Sequence, residues 1–367
     1  MKILVLSCNT RSIVRFRADM IRDFTERGHT VTAVGDEPEA EWKDIFARDG
    51  IDYRSIPVSR TGTNPFADIA ALRAIKKLLK ELNPDKIFAY QAKTVIYGGM
   101  AAEKQGIDFY PLIAGVGSVY LDGGLKNRLL RGLVTAQYKK GIKKAKCVFF
   151  HNGYDLEYFK KLGIVKGDNL VVLNGSGVDV DHFSPAPMPP KPAFICISRL
   201  IRDKGVDNYL QACRIFRQKM PDVKCMLVGP FDSNPSSLTQ KELQSYIDDG
   251  SVEYYGEQDD VRPYLAQCMV FVLPSFHEGR PKTILEAMAM GRAILTTDVP
   301  GCRDTVDSGK NGLLVPAGDP QALAQAMEHM AKNTRLVAEM ASEGRRIAET
   351  RYDVRMVNAI IMDKMGL

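Results

Sequence analysis

Apolar positions in the first half of the chain alternate between two patterns. Short apolar runs at Ile3–Ser7, His29–Gly35, Lys86–Ala89, Phe109–Ala114 and Cys147–Phe150 read as strands. Between them, Ser12–Gly28, Pro65–Leu82, Thr94–Lys104, Leu125–Ala145 and Asp155–Leu162 carry apolar residues at helical spacing. Gly28 supplies a stop for the first helix, and Asn64 a cap ahead of Pro65. Alternating strand and helix predicts a parallel sheet covered on both faces.

The rhythm breaks at Ser184–Pro192, SPAPMPPKP, which has five prolines in nine residues and reads as a stiff linker. It then restarts. Ala193–Ser198, Lys224–Gly229, Val252–Tyr255, Met269–Pro274, Ala293–Thr297 and Gly312–Val315 are strand candidates. Helices near Pro320–Ala331, Thr334–Glu349 and Val354–Met365 close the chain. The expectation is α/β: two doubly wound Rossmann-like domains, 1–183 and 193–350, facing across a cleft, with residues 184–192 as linker and 351–367 as a closing helix.

The 367 residues are enough for two cores, and 45% hydrophobic with 26% charged residues is ordinary globular usage. The longest stretch without Asp, Glu, Lys or Arg is Pro263–His277, 15 residues, short of the roughly 20 a membrane span needs. The start, MKILVLSCNTR, reads as a first strand and not a signal segment, so a cytoplasmic location is expected. Seven cysteines with no C-x-x-C pair read as small buried hydrophobes. The net charge of +6 is uneven. Residues 1–180 hold 28 basic and 20 acidic residues, and 181–367 hold 22 and 24. Long-range attraction for an anionic partner therefore lies in the first half.

Two strings carry candidate chemistry. In Ile197–Gly205, ISRLIRDKG, Arg199 follows a strand and Lys204 opens a helix. At the carboxyl edge of a parallel sheet the two cations can converge on one diphosphate, although a solvated basic turn has the same pattern. Ser275–Glu286, SFHEGRPKTILE, follows the buried strand VFVLP. It places Gly279 and Pro281 before a helix whose first N–H groups make an anion site. Glu278 and Glu286 can bond sugar and ribose hydroxyls. Asp179-Val180-Asp181 has the form of a metal-binding D-x-D, but it lies in an interdomain context. The five histidines lack ligand spacing, so no metal is expected.

Glu278-x7-Glu286, with SRLIRDKG upstream and GLLVPAGDP downstream, resembles the signature of retaining glycosyltransferase family four, whose fold is GT-B. The resemblance implies that Arg199 and Lys204 contact the diphosphate of a nucleotide sugar, UDP-linked by family habit. Glu286 then contacts the ribose and Glu278 the transferred sugar. The backbone of Gly279, Arg280, Lys282, Thr283 and Ile284 faces phosphate and sugar, while Gly229 and Gly256 lie beside the base. It also implies a metal-independent reaction with no cofactor, in which fixed charges stabilise the leaving group. The closing helix is expected to cross back onto the N-terminal domain.

The N-terminal segments Asn9–Arg17 and Ile113–Gly124 are similar to a subgroup that extends undecaprenyl-diphosphate-linked sugars. The likeness implies Phe16, Arg17, Gly115, Gly117 and Ser118 near a polyprenyl-diphosphate-linked saccharide acceptor. A plain flexible loop and a fragment of a dinucleotide fingerprint also fit the glycines. The family's histidine after the fourth strand is missing; Gln91, Ala92 and Lys93 stand there, and Lys93 is a catalytic candidate beside Gln91. Leu125–Lys146 holds eight Lys or Arg and no acid, with apolar residues four apart. Such a helix can lie on an anionic membrane surface as well as cover the sheet. Nucleic acid is not expected as a partner, because no aromatics interleave with the basic residues. A nucleotide-sugar epimerase or a silent nucleotide-sugar-binding partner are the rival readings.

Overall fold

In the computed structural model, which describes residues 1–59, 64–121, 125–232, 234 and 236–367, the chain builds two parallel sheets. The first unit comprises Met1–Ser176 and Val357–Leu367. It runs β1 (Lys2–Leu6), α1 (Thr10–Glu26), β2 (Thr30–Gly35), α2 (Glu39–Ala47), β3 (Asp52–Ser55), α3 (Pro65–Leu82), β4 (Lys86–Tyr90), α4 (Ala92–Gln105), β5 (Asp108–Ile113), α5 (Ser118–Leu121), α6 (Leu125–Gly141), β6 (Val148–Phe150), α7 (Gly153–Lys161) and β7 (Leu170–Val172). The second unit, Gly177–Met356, runs β8 (Ala193–Ile197), α8 (Val206–Arg217), β9 (Lys224–Val228), α9 (Gln240–Asp248), β10 (Glu253–Tyr254), α10 (Arg262–Leu265), β11 (Val270–Leu273), α11 (Lys282–Ala289), β12 (Ala293–Thr297), β13 (Gly312–Val315), α12 (Pro320–Lys332) and α13 (Thr334–Ile347). A last helix, α14 (Val354–Met365), begins in the second unit and ends in the first.

The strand orders are β3-β2-β1-β4-β5-β6-β7 and β10-β9-β8-β11-β12-β13. In each sheet the order reverses at the unit's first strand, between β1 and β4 and between β8 and β11. Ligands of open parallel sheets bind outside the carboxyl ends of strands at such switch points.

Alternation within the strands builds the cores. Leu4 and Leu6 join Ile75 and Leu79 of α3 and Val95 of α4 on one face of the first sheet. Ile3 and Val5 face Ile13, Met20 and Phe24 of α1, with Val357 and Ile361 of α14, on the other. In the second sheet Phe194 and Cys196 pack with α8 and α12 residues, while Ile195 and Ile197 pack with Ile284 and Leu285 of α11. All seven cysteines are buried and unbridged. Asn9 and Asn64 accept from first-turn amides of α1 and α3, and Pro65 opens α3.

Three elements carry no clear sequence signal: α2, β3 and β7. Each is peripheral. Only Phe46 of α2 and Tyr53 of β3 are buried, and Val172 of β7 is exposed. Neither period shows when a single side chain is covered.

The proline-rich segment is a packed part of the second unit and not an open linker. Fully buried Arg292 donates from Nη1 to the Ala186 carbonyl at 3.1 Å and from Nη2 to the Pro187 carbonyl at 3.2 Å. Arg345 Nη1 gathers the Val180 and Phe183 carbonyls at 2.9 and 3.0 Å. Prolines offer no N–H, but their carbonyls remain acceptors; Arg292 uses acceptors of this stretch and Arg345 those of the residues just before it. The second unit therefore begins at Gly177. Among the described residues no helix is long and apolar enough to cross a membrane.

Candidate functional site

The switch point of the second sheet collects most of the predicted residues of that half. Arg199 follows β8, and its Nη1 donates to Asp232 Oδ2 at 2.7 Å. Gly205 takes φ +66°, and a Cβ there would lie 1.9 Å from the Pro274 carbonyl oxygen, so only glycine lets this turn approach the end of β11. Gly229 follows β9 with φ +146°, and its Cβ would meet the Ser198 carbonyl oxygen at 1.8 Å. Its amide donates to the Gly256 carbonyl at 2.8 Å, which brings Gly256 alongside.

The loop after β11 is bonded to the turn after β8. Ser275 Oγ donates to the Asp203 carbonyl at 3.1 Å, as does the Phe276 amide at 3.1 Å. Lys204 Nζ donates to Glu278 Oε1 at 2.5 Å. The helix that follows, α11, has no side-chain cap and no acid in its first turn, so its N-terminal end presents positive dipole and amides. Gly279 precedes it, and Lys282, Thr283 and Ile284 form its first turn. Glu286 is buried one turn inside. Arg199, Lys204, Gly229, Gly256 and Glu278 thus gather at one sheet edge with the start of α11.

Arg280 is turned away. Its Nη1 donates to the Asp304 carbonyl at 3.1 Å and to Tyr352 Oη at 3.0 Å, and its guanidinium lies 5.4 Å from the Tyr352 ring centroid. The expectation for 279–284 concerned backbone, and the Arg280 side chain is engaged with Asp304 and Tyr352 within the second unit. Asp179 and Asp181 also have structural work. Asp179 Oδ1 accepts from the Asp181 and His182 amides, and Asp181 pairs with Arg355 at 3.0 Å.

Sequence reasoning passed over His277. Its Nε2 is buried with no hydrogen-bond partner. Burial lowers its pKa; Glu278 opposes that shift and Lys204 adds to it. The string HEG offered no periodic or ligand-spacing signal by which to single it out.

In the first unit the switch point is marked by Gln91, which caps α4 with φ +73° and ψ 145°. Asn83, the other described non-glycine residue with positive φ, is a left-handed helix cap, whereas Gln91 sits in a region that is essentially glycine's. Its side chain is held from several sides. Oε1 accepts from Ser7 Oγ at 2.8 Å and the Cys8 amide at 2.9 Å, and Nε2 donates to Ser12 Oγ at 3.3 Å. Ser12 Oγ also lies 2.9 Å from Tyr90 Oη. Lys93 is drawn elsewhere, its Nζ 2.7 Å from Asp68 Oδ1 on α3. Arg17 is buried beside the Tyr90 ring, and Phe16 is half-buried under Arg15. Gly115 and Gly117 follow β5, the neighbour of β4, with open space where a Cβ would stand; Ser118 opens α5.

Helix α6 carries two apolar stripes. Tyr138 and, just past its end, Ile142 are buried in the first unit's core, with Val134 packed against them. Leu129 and Leu133, one turn apart, are 78% and 57% exposed. In the same segment Arg128, Lys139, Lys140, Lys143, Lys144 and Lys146 are exposed. Residues 122–124, with two glycines of the preceding loop, lie outside the described residues, as do the side chains of 125–127.

Comparison with known proteins follows this division. Residues 2–152 match the family model described as glycosyl transferase 4-like, and residues 191–333 the one described as glycosyl transferases group 1. The chain is 28% identical to the N,N'-diacetylbacillosaminyl-diphospho-undecaprenol alpha-1,3-N-acetylgalactosaminyltransferase of Campylobacter jejuni, over 97% of this chain and 96% of that one. It is 24% identical to the putative glycosyltransferase EpsD of Bacillus subtilis, over 83% and 82%. Among solved structures, Thermosynechococcus elongatus sucrose-phosphate synthase superposes with a TM-score of 0.83 at 16% identity, over 100% of this chain and 98% of that one. Anabaena HepE in complex with UDP-glucose superposes with 0.81 at 20%, over 100% and 99%. One model spans the Gln91 edge and the other the Lys204–Glu278 edge, and a relative aligns through both, so the chain belongs to the glycosyltransferases of the GT-B fold.

Proposed function

We propose that this enzyme transfers a sugar from a UDP-sugar to a polyprenyl-diphosphate-linked saccharide in the assembly of a bacterial surface polysaccharide or glycoprotein glycan. The observation that carries the reading is the Lys204–Glu278 pair, set with Arg199 and the uncapped start of α11 at the second switch point. HepE, which shares the fold, was crystallised with UDP and with UDP-glucose. The Campylobacter relative is named for a diphospho-undecaprenol-linked substrate.

In this reading the bond between the sugar's C1 and the diphosphate oxygen breaks, and UDP leaves with both bonding electrons. Arg199, Lys204 and the first amides of α11 meet the charge that develops, as preorganised groups whose stabilisation grows toward the transition state. Glu278 holds sugar hydroxyls and Glu286 the ribose. The acceptor hydroxyl bonds to C1 and passes its proton to the departing diphosphate oxygen, with the anomeric configuration retained and no metal required. The donor occupies the second unit and the acceptor the first, near Gln91, Arg17 and the Gly115–Gly117 loop. The solvent-facing Leu129–Leu133 stripe and its lysines hold α6 on the anionic inner face of the plasma membrane, where a lipid-linked acceptor resides. Incubating the protein with UDP-sugars and an undecaprenyl-diphosphate-linked saccharide tests this reading. Lipid-linked product and released UDP in equal amounts are expected. UDP release that is unaffected by acceptor overturns it.

A further inference from the structure

Arg17 is an unusual buried charge. Its side chain lies on the α1 face of the first sheet at 3% exposure. Its guanidinium carbon stands 5.0 Å from the Tyr90 ring centroid and 5.6 Å from that of Phe88. Nε has no hydrogen-bond partner. Burial lowers its pKa to about 10, opposed by Tyr90 and by no carboxylate. The other arginine buried among the described residues is treated differently: Arg292 donates to the Leu265, Ala186 and Pro187 carbonyls. Isolating a buried cation is costly unless an anion compensates it, and among the described residues Arg17 has only ring faces.

The surroundings are built as a binding edge. Tyr90, under the guanidinium, ends β4 at the switch point, and its hydroxyl bonds Ser12 Oγ, which bonds Gln91. Gln91 keeps a strained backbone there, and such strain persists where a site requires it. An anion arriving at this edge would meet a guanidinium already desolvated and oriented by two rings.

We propose that Arg17 is the receptor for a phosphoryl oxygen of the acceptor's diphosphate, with Tyr90 and Ser12 as its polar neighbours. This rests on the proposed transfer to a diphosphate-linked lipid and adds which group of that lipid the first unit grips. It makes Arg17 a determinant of acceptor affinity and leaves the donor to the other unit.

The test uses the full chain saturated with UDP, so that the second unit's diphosphate site is filled. Adding inorganic pyrophosphate is expected to raise the Tm further in the native protein and not in Arg17→Met. The same variant should raise the KM for the lipid-linked acceptor about 10- to 100-fold, the loss of one charge-assisted bond, and leave the KM for UDP-sugar unchanged. Without ligand its Tm should match or exceed the native value, because an uncompensated buried charge is gone. Arg17→Lys keeps the charge without the planar fork and should raise the acceptor KM by a smaller factor, which decides the matter if the Met variant fails to fold. Undecaprenyl diphosphate should stabilise more than inorganic phosphate does. Equal shifts make this a free-ion site and overturn the acceptor assignment, as does an unchanged acceptor KM in both variants. If UDP stabilises the chain and pyrophosphate adds nothing, this inference alone fails. If UDP does not stabilise it, the proposed function fails first.

Discussion

Lys204 Nζ stands 2.5 Å from Glu278 Oε1 and ties the turn after β8 to the loop after β11. Their side chains are only 21% and 12% exposed, so the ammonium is held in place before a diphosphate arrives. In the proposed mechanism a bound diphosphate gives Lys204 a second anion, and Glu278 turns its other oxygen to sugar hydroxyls. Replacing Lys204 by Ala removes leaving-group stabilisation and should cut kcat about 10²- to 10³-fold, as when one preorganised donor is lost. It also strips a part-buried carboxylate of its cation, worth about 1–3 kcal/mol of stability. Glu278→Gln in the same background should recover the stability and none of the rate. Rates near native in Lys204→Ala would remove Lys204 from the mechanism.

Gly205 is expected to be intolerant of any side chain. An alanine Cβ would lie 1.9 Å from the Pro274 carbonyl oxygen at a φ of +66°, so the turn carrying Lys204 must move. Gly205→Ala should lower stability by about 1–3 kcal/mol, the cost of overpacking and of strain at such a φ. It should also weaken UDP binding more than it lowers Tm-based stability. Gly291→Ala is the control: a similar φ of +70° and nothing within 4 Å. It should cost stability and leave UDP affinity unchanged.

Much of this was legible in the sequence, for identifiable reasons. Buried parallel strands such as Phe271–Leu273 are continuous apolar runs, and long helices such as α3 carry a cap, a proline and a clean period, so both repeats of the α/β pattern could be read. The family signature assigned Lys204 and Glu278 to different parts of one donor and did not imply their direct pairing, since no spacing rule joins residues 74 apart. Local strings also cannot tell where a long side chain turns. Arg280 sits in the signature yet bonds Asp304 and Tyr352. Lys93 was singled out as a cation where the family has histidine, whereas Gln91 holds the strand end through a backbone conformation that nothing in AYQAK announces. The carbonyl-gathering role of Arg292, which fixes the proline-rich stretch, is likewise a long-range contact.

His277 should make stability fall with acid. Its folded pKa is lowered below the ordinary value of 6.5, chiefly by burial. The unfolded chain therefore takes up a proton where the folded chain resists it. Stability is complete above pH 6.5 and is lost as pH falls toward the folded pKa. Urea unfolding at pH 7.5 and 5.5 should show a larger drop for the native protein than for His277→Asn. His29, also lowered, remains in both proteins and cancels. Equal drops would mean that His277 titrates normally.

Treatment with EDTA should leave the transfer rate unchanged, and added Mg²⁺ or Mn²⁺ should not raise it. In the proposed mechanism Arg199, Lys204 and the α11 amides carry the charge that a divalent ion carries in metal-dependent transferases. A rate that collapses with chelator and returns with metal would overturn that division of labour. Comparing the product's anomeric configuration with the donor's, by coupling constants at C1, tests retention separately.

The outer stripe of α6 predicts membrane binding that can be removed without touching the fold. Leu129 and Leu133 are 78% and 57% exposed, so Leu129→Ser with Leu133→Ser should change stability by less than about 0.5 kcal/mol. The inner stripe, through Tyr138 and Ile142, stays packed in the core. Vesicles with about a third anionic lipid should retain the native chain at low salt, and the double variant far less. Each exposed lysine adds about 1 kcal/mol near such a surface, an attraction that weakens as salt shortens the Debye length. Native binding should therefore decline from 0.05 to 0.5 M NaCl (a span from about 14 to 4 Å of screening), and a remainder owed to the leucines should persist. In the transfer assay the double variant should lose activity toward an acceptor embedded in vesicles and keep it toward the same acceptor in detergent. Retention on vesicles equal to the native protein's would assign the stripe another role.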